Sequence, residues 1–295
     1  MGVGIKDMRA FSAVVEEGNI SHAAQRLDVA QPVLSKQIKR LEEELGVKLF
    51  DRGSRAIRLT AAGRVFYNRV ERILGLVDGT IRELSEIGAG SSGSIRLGTI
   101  TTSGAMILPD LIAQFHQRYP DVTFEIWESE GARILEMLDS RKIEIAVTRT
   151  QVDAEHYSSI VLPHEPFMML MNEQNVCGAS DKEVRLVELK DRPLIIPLRW
   201  KSIFVSNCKH LGFEPKIFCV SDSFVQGLMM VRMNLGIAMF PMSSQTLMRD
   251  GDLICKRLVE PEMTTHTVIS RLKDQTLSSA CKNFLSLFRE MFVKE

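Results

Sequence analysis

The residue pattern changes once along the chain, and this change constrains the fold more than any other feature. The first ninety residues show helical spacing interrupted by short turns. The stretch from Gly88 to Ser94 contains only glycine, alanine and serine, which is typical of a flexible linker. After Ser94, apolar runs of strand length alternate with helical segments, which predicts βαβ crossovers and a parallel sheet. We therefore expect a small helical domain followed by a larger α/β part.

The third predicted helix of the first part is amphipathic. It follows one helix that ends at Gly18 and a second that begins with Ser21 as its N-cap. At 100° per residue, one face of the third helix carries Leu34, Ile38, Leu41 and Leu45. The opposite face carries Pro32, Lys36, Lys39 and Glu43. One side is thus expected to pack in a core, which leaves the other side free.

Positive charge is concentrated around this helix. The whole chain has 37 basic and 37 acidic residues, but residues 31–64 contain eight basic and four acidic ones. Residues Val47 to Thr60 alternate like two short strands, with basic residues at the turn between them. A local basic surface on a neutral chain favours a nucleic-acid-binding module. The alternative is an ordinary solvated face, which the acidic run Glu42 to Glu44 supports.

One long helix is predicted from Ala61 to Ile87. Apolar and small residues recur in it at intervals of three and four, namely Val70, Ile73, Val77, Thr80, Leu84 and Ile87. This spacing is typical of a helix that pairs with a second copy. The alternative is an amphipathic helix packed on its own domain.

Composition and motifs argue against several classes of protein. No apolar run approaches the roughly 20 residues that a membrane-spanning helix needs, so a cytoplasmic protein is expected. The five cysteines form no C-x-x-C pair and the six histidines are scattered, so we expect neither a disulfide framework nor a metal site. The G-x-S-x-G and H-E-x-x-H motifs are absent from the sequence, so no enzyme and no cofactor are expected.

Residues 11–63 closely match a known pattern. The matching positions are Phe11, Val15, Gly18, Ser21, Ala23, Ala24, Leu27, Val29, Gln31, Pro32, Leu34, Ser35, Ile38, Leu41, Glu42, Leu45, Gly46, Leu49, Phe50, Arg52, Leu59, Thr60 and Gly63. This stretch resembles the winged helix-turn-helix of LysR-type transcriptional regulators. The remainder resembles the family in layout, with Leu235 to Ala238 and Pro241 as its local match.

The resemblance implies a multidomain α+β protein with a winged helix-turn-helix DNA-binding domain at 1–60. A linker and dimerisation helix with a flexible linker would occupy 61–93, and a two-lobed α/β effector domain like periplasmic solute-binding proteins would occupy 94–295. Lobe 1 is expected at about 94–163 and 266–295, and lobe 2 at about 164–265. The implied protein is a homodimer or homotetramer that binds a pseudo-palindromic promoter site on double-stranded DNA and a small-molecule effector.

The free face of the third helix is the expected DNA-binding surface, because a helix-turn-helix places its second helix in the major groove. Ser35 and Lys36 are expected to reach base edges or phosphates. The helix N-terminus is suited to phosphate, and the wing to the backbone or a narrow minor groove. The predicted DNA-binding residues are Gln31, Pro32, Ser35, Lys36, Lys39, Arg52 and Arg55.

Ligands of open α/β sheets bind beyond the carboxyl ends of the strands. Hydroxyl-bearing and charged residues follow the predicted strands, and the first hydroxyl run resembles the family's inducer-binding position. The predicted effector-binding residues are Thr101, Thr102, Ser103, Ser129, Thr148, Pro197 and Arg199. Arg199 is suited to gripping a carboxylate, so a small carboxylate is the expected effector. The alternatives are helix capping by the hydroxyls and a surface arginine beside Trp200.

The alternative function is a DNA-binding architectural protein whose C-terminal domain serves only assembly.

The resemblance also bears on the cysteines. Some regulators of the family sense peroxide through a cysteine pair. Cys208 falls in the region of that pair, but Arg199 stands where its partner is expected, so a disulfide switch is not expected. The alternative is oxidant sensing by a single thiol through sulfenic acid.

Overall fold

The N-terminal domain contains three helices and a two-stranded wing. The computed structural model describes residues 2–51, 57–87, 93–248, 253–260 and 263–293, with the backbone alone at 82–87. The helices are α1 (Ile5–Glu17), α2 (Ile20–Arg26) and α3 (Gln31–Leu45), and the wing pairs β1 (Phe50–Asp51) with β2 (Arg58–Leu59). The N-cap of α2 is Asn19 rather than the predicted Ser21. Its side chain accepts a hydrogen bond from the amide of Ser21 at 2.7 Å, which places Ser21 inside the first turn.

The core of this domain lies where the predicted apolar face of α3 meets α1 and α2. Leu34, Ile38 and Leu41 are buried there. Ala23 and Ala24 of α2 are also buried, and their small side chains let the neighbouring helices approach closely. Full burial of a leucine side chain is worth roughly 1.5–3 kcal/mol, so this interface holds α3 with its other face toward solvent.

The long helix α4 (Ala61–Ile87) corrects the predicted seam. Val70 is fully buried in the core of the N-terminal domain, so its assignment to a dimer contact is wrong. The exposed large apolar residues of the described part of α4 are Val65, Ile73, Leu76 and Ile81. Val65, Ile73 and Leu76 fall within one arc of the helix at 100° per residue, and they form an unpaired apolar stripe.

The first lobe is a five-stranded sheet in the order β4-β3-β5-β14-β6. Its strands are β3 (Gly93–Thr99), β4 (Val122–Glu128), β5 (Ile145–Thr148), β6 (Tyr157–Val161) and β14 (Val268–Leu272). Its helices are α5 (Thr101–Arg118), α6 (Gly131–Asp139) and α9 (Ser279–Phe292). The strands β3, β4 and β5 are parallel, as βαβ crossovers require, but β14 is antiparallel to β5 and β6. The sheet is therefore mixed rather than parallel, because β14 enters from the second lobe without a crossover helix.

The second lobe holds a sheet in the order β10-β9-β11-β7-β12-β8, with β13 paired to β7. Its strands are β7 (Glu165–Met171), β8 (Glu183–Val184), β9 (Leu194–Ile196), β10 (Ile217–Val220), β11 (Ile237–Pro241), β12 (Ile254–Leu258) and β13 (Thr264–Thr265). Its helices are α7 (Leu198–His210) and α8 (Phe224–Arg232), with 3-10 turns at Glu173–Asn175, Leu186–Leu189 and Met242–Leu247. The chain crosses between the lobes before β7 and after β13, which confirms the two-lobed α/β architecture. Within the described ranges, no helix is both long and apolar enough to cross a membrane.

Candidate functional site

The free face of α3 presents most of the predicted DNA contacts to solvent. Gln31, Pro32, Lys36 and Lys39 are exposed, and Ser35 is half-buried on the flank. Lys39 lies 3.7 Å from Glu43 one turn later, whereas Lys36 forms no ion pair with the described residues. Among these described residues, Lys36 is therefore the lysine of this face whose charge is not balanced by an ion pair. Arg52 and Arg55, the predicted wing contacts, lie outside the described residues.

Asp7 holds α3 in position, and the sequence analysis missed it. This buried carboxylate accepts hydrogen bonds of 3.0 Å each from Gln37 Nε2 and Arg40 Nη2, and one of 3.1 Å from the amide of Gly4. Burial alone would raise the pKa of Asp7, but the bonds from Gln37, Gly4 and Arg40 outweigh it and lower the pKa. An acidic residue in the first turn of α1 was the only sequence signal, and it did not identify the partners.

Glu42 anchors the wing to the end of α3. Its side chain is buried and accepts hydrogen bonds from the amides of Leu49 at 2.9 Å and Phe50 at 3.2 Å. Lys48 Nζ lies 2.9 Å from the same carboxylate. Burial would raise the pKa of Glu42, but the bonds from Lys48, Leu49 and Phe50 together lower it. The interpretation of residues 42–44 as a solvated acidic face is therefore wrong at Glu42.

A cleft of about 250 Å³ lies between the two lobes, at the carboxyl ends of their strands. Its lining residues are Ile100, Thr101, Thr102, Glu128, Ser129, Glu130, Pro197, Arg199, Trp200, Asp222, Phe224, Phe240 and Pro241. Four helices, α5 to α8, begin at or beside this lining. The first amides of a helix have no acceptor within it and carry partial positive charge, so the cleft is suited to an anionic group.

Five of the seven predicted effector residues line this cleft, namely Thr101, Thr102, Ser129, Pro197 and Arg199. They come from both lobes. The Thr101 hydroxyl donates to Glu128 Oε1 at 2.7 Å, and the Arg199 guanidinium lies 5.2 Å from the centre of the Trp200 ring. The Thr101 contact is not a helix cap, because α5 has no side-chain hydrogen bond at its N-cap. The Arg199 contact agrees with the alternative of a surface arginine beside Trp200.

The hydroxyls of Ser103 and Thr148 form hydrogen bonds inside the protein and do not face the cleft. Both residues are fully buried and neither lines the cleft. Ser103 Oγ lies 3.1 Å from Thr267 Oγ1, and Thr148 Oγ1 accepts a hydrogen bond from the amide of Thr150 at 3.4 Å. In this conformation neither hydroxyl is placed to contact an effector, because buried hydroxyls are held by interior partners.

The predicted set of effector-binding residues leaves out the aromatic and acidic side chains of the lining. Phe224 and Phe240 form a ring pair 4.7 Å apart at one wall. Glu128, Glu130 and Asp222 are exposed at the cleft. The rule that ligands meet strand ends already pointed to these loops, and only the choice of side chains within them failed.

Arg149 joins the lobes behind the cleft. Its side chain is 1% exposed, and Nη2 donates to Glu165 Oε1 at 2.6 Å and to Ser243 Oγ at 3.1 Å. Burial lowers the pKa of Arg149, although Glu165 opposes this effect. Because Arg149 follows β5 of lobe 1 while Glu165 and Ser243 belong to lobe 2, this pair links the two lobes.

Comparison with known proteins identifies the family. The family described as "LysR substrate binding domain" matches residues 88–293, and the one described as "Bacterial regulatory helix-turn-helix protein, lysR family" matches residues 5–64. The chain belongs to the LysR family of transcriptional regulators. This result confirms the predicted class, which is a DNA-binding transcriptional regulator with an effector-binding domain.

Individual relatives extend over the whole chain. The HTH-type transcriptional regulator BsdA of Bacillus subtilis (strain 168) is 32% identical over 291 residues, covering 96% of this chain and 99% of BsdA. BenM of Acinetobacter baylyi is 27% identical over 297 residues, covering 99% of this chain and 97% of BenM. The crystal structure of CbnR, a LysR family regulator, has the same fold, with a TM-score of 0.74 at 22% identity over 98% of this chain and 99% of CbnR.

In this LysR-family chain, α4 also packs against lobe 1. A Cβ added to Gly75 would lie 1.9 Å from the carbonyl oxygen of Ser140, so only glycine permits this approach. Arg72 Nη2 lies 3.6 Å from Asp139 Oδ2, and Asp139 Oδ1 accepts a hydrogen bond from the Tyr157 hydroxyl at 2.6 Å. The helix α6 therefore runs from the cleft, where Glu130 precedes it, to the surface of α4.

Cys208, the cysteine nearest the family's redox pair, has no disulfide partner in this LysR-family chain. None of the five cysteines forms a disulfide, and Cys208 is buried. Burial, together with the negative charge of Glu260, raises the pKa of the Cys208 thiol to about 11. A thiol with so high a pKa is almost entirely protonated at neutral pH, and the protonated form is a poor nucleophile.

Proposed function

We propose that this regulator responds to a small-molecule carboxylate bound in the cleft between its lobes. The observation that carries the proposal is that Thr101, Thr102 and Ser129 of lobe 1 face Pro197 and Arg199 of lobe 2 across one cavity. A guanidinium and the amide groups of helix N-termini are the groups that bind carboxylates best in proteins. No resident cofactor is part of this proposal.

Helix α3 recognises the DNA sequence. Ser35 and Lys36 contact base edges, and the DNA phosphate backbone is contacted by Gln31, Pro32 and Lys39. The uncommitted charge of Lys36 and the exposed face of α3 support this division. Arg52 and Arg55 of the wing add backbone contacts. Two copies of α3 in a symmetric dimer require a pseudo-palindromic promoter site. Since DNA is the partner, we place the protein in the cytoplasm.

A ligand that contacts both lobes favours their closed arrangement. This ligand-dependent closure switches the activity of the regulator. A ligand shifts an equilibrium only by its differential affinity for the two states. A carboxylate held by Thr102 from lobe 1 and by Arg199 from lobe 2 completes both contacts only when the lobes close. A domain that served only assembly has no use for such a cleft.

A thermal-shift screen of the full-length protein against a library of small carboxylates tests this proposal. At least one compound should raise Tm, and Thr102→Ala and Arg199→Ala should each abolish the shift. Lys201→Ala is the matched control, because it removes an exposed cation from the same turn of α7 outside the cleft lining. A library without a stabilising compound, or stabilisation that survives both cleft substitutions, contradicts the proposal.

A further inference from the structure

The cleft carries charges of both signs that do not neutralise one another. Arg199 is the basic residue of its described lining, while Glu128, Glu130 and Asp222 are acidic. None of these four forms an ion pair with another described residue within 4.0 Å. The Thr101 hydroxyl donates to Glu128, and the Trp200 ring lies beside Arg199. The positive charge of Arg199 also acts on the buried Arg149.

This arrangement is unfavourable for a ligand that carries only negative charge. A carboxylate placed at Arg199 enters a small cavity with three other carboxylates, and like charges repel most strongly where water is excluded. Closure of the lobes would remove water from this cavity and increase the repulsion. A cationic group on the ligand turns the same three carboxylates into partners.

The cleft also has an apolar part. Ile100 lies on the lobe 1 side, and the ring pair of Phe224 and Phe240 lies on the lobe 2 side. Pro197 and Pro241 of lobe 2 add further apolar surface to the lining. A bound molecule thus meets a cation, a group of carboxylates and an aromatic wall within one cavity of about 250 Å³.

We propose that the effector is a small aminocarboxylate, a zwitterion with an apolar portion. Its carboxylate binds Arg199 and the helix N-termini, its ammonium group binds among Glu128, Glu130 and Asp222, and its apolar portion packs on Phe224 and Phe240. This inference rests on the proposed function and narrows the carboxylate effector to one class.

Matched triads of compounds separate this inference from the broader proposal. The panel comprises L-phenylalanine, 3-phenylpropionate and 2-phenylethylamine, then L-leucine, 4-methylpentanoate and 3-methylbutylamine, then 4-aminobutyrate, butyrate and butylamine, and the remaining proteinogenic amino acids. Thermal shift of the full-length protein ranks them, and calorimetric titration gives Kd. At least one zwitterion should bind, and its singly charged analogues should bind at least tenfold more weakly.

The outcomes distinguish the two proposals. A carboxylate that binds as tightly as its amino counterpart overturns the zwitterion inference and leaves the carboxylate effector standing. A panel in which no zwitterion binds also overturns the inference. If no compound of the wider carboxylate library raises Tm either, the proposed function is contradicted together with the zwitterion inference.

Charge-neutralising variants provide the second readout. Glu128→Gln, Glu130→Gln and Asp222→Asn should lower the ratio of zwitterion affinity to acid affinity, with at least one variant bringing it near one. Glu125→Gln, on the same strand as Glu128 but outside the cleft lining, should leave the ratio unchanged. If none of the three cleft variants changes the ratio, the ammonium assignment is wrong.

Discussion

At the level of single residues, the charge that the DNA-binding face offers to DNA depends on which side chains already form ion pairs within the protein. Glu43 partly neutralises Lys39, and Glu42 and Asp7 are used inside the domain to fix the wing and α3. Lys36 lies on the same face and has no such partner among the described residues. Two lysines three positions apart thus differ in the charge that they leave for DNA.

Replacing Lys36 with alanine should reduce discrimination between specific and nonspecific DNA. A good base contact is worth roughly 1–3 kcal/mol, so the affinity ratio should fall by roughly 5- to 150-fold. Arg55→Ala should instead weaken binding to all sequences and reduce the salt slope by about one. Fluorescence anisotropy at several salt concentrations measures both quantities. An unchanged ratio for Lys36→Ala would show that α3 does not read bases through this residue.

Glu42 makes the N-terminal domain sensitive to acid. The folded state lowers the pKa of Glu42 below its ordinary value of 4.5, so its stabilising effect is present above about pH 4.5 and is lost as the pH falls through the lower, folded-state value. Glu42→Gln should lower the free energy of unfolding at pH 7 by about 1–3 kcal/mol, because buried amides lose a charged acceptor.

The gap in Tm between wild type and Glu42→Gln should therefore narrow as the pH is lowered from 7 to about 3, well below the ordinary pKa of 4.5. Calorimetry of the unfolding transition of the N-terminal domain measures this gap. Glu43→Gln, at the exposed neighbouring position, is the control and should produce little change at either pH. An equal gap at both pH values would contradict the role of Glu42.

At the level of secondary-structure elements, α4 contacts the N-terminal core and lobe 1 and also presents an exposed apolar stripe. Val70 packs in the N-terminal core, Gly75 contacts lobe 1, and the stripe of Val65, Ile73 and Leu76 is left exposed. The heptad pattern predicted a pairing helix but not its exact face, because periodicity cannot tell an intramolecular core from an intermolecular one. We assign the dimer contact to the exposed stripe.

Val65→Asp combined with Ile73→Asp should break the dimer, since two carboxylates would be buried against their symmetry mates. The molar mass from light scattering should fall by half or more. Val187→Asp, the same kind of change at an exposed valine of lobe 2, should leave the mass unchanged. A double variant that keeps the wild-type mass would move the dimer contact away from this stripe.

Helix α6 connects the cleft to α4, so its contact with Gly75 should carry the ligand response. Gly75→Ala forces a methyl group toward the Ser140 carbonyl and should separate α4 from α6. Ligand binding should persist, while the effect of ligand on DNA binding is lost. Thermal shift and anisotropy measure the two properties. Ser140→Ala keeps the carbonyl and should respond normally, and a normal response in Gly75→Ala would exclude this route.

At the scale of the whole molecule, sequence reasoning succeeded where a local rule determines the outcome. The spacing of Leu34, Ile38 and Leu41 predicted the core face of α3, and the strand-end rule brought five of seven proposed effector residues to one cleft. It failed where a residue far away in the sequence determines the direction of a side chain. Ser103 faces inward because Thr267, far along the chain, is opposite it.

A ligand bound between the lobes should alter how the protein holds DNA. The direct test measures affinity and DNA bending with and without the compound found in the screen, for wild type, Thr102→Ala and Arg199→Ala. Neither residue lies near α3, so ligand-free DNA affinity should equal that of wild type in both variants, while the change on adding ligand should disappear. A normal ligand response in both variants, or loss of ligand-free DNA binding in both, would contradict the account.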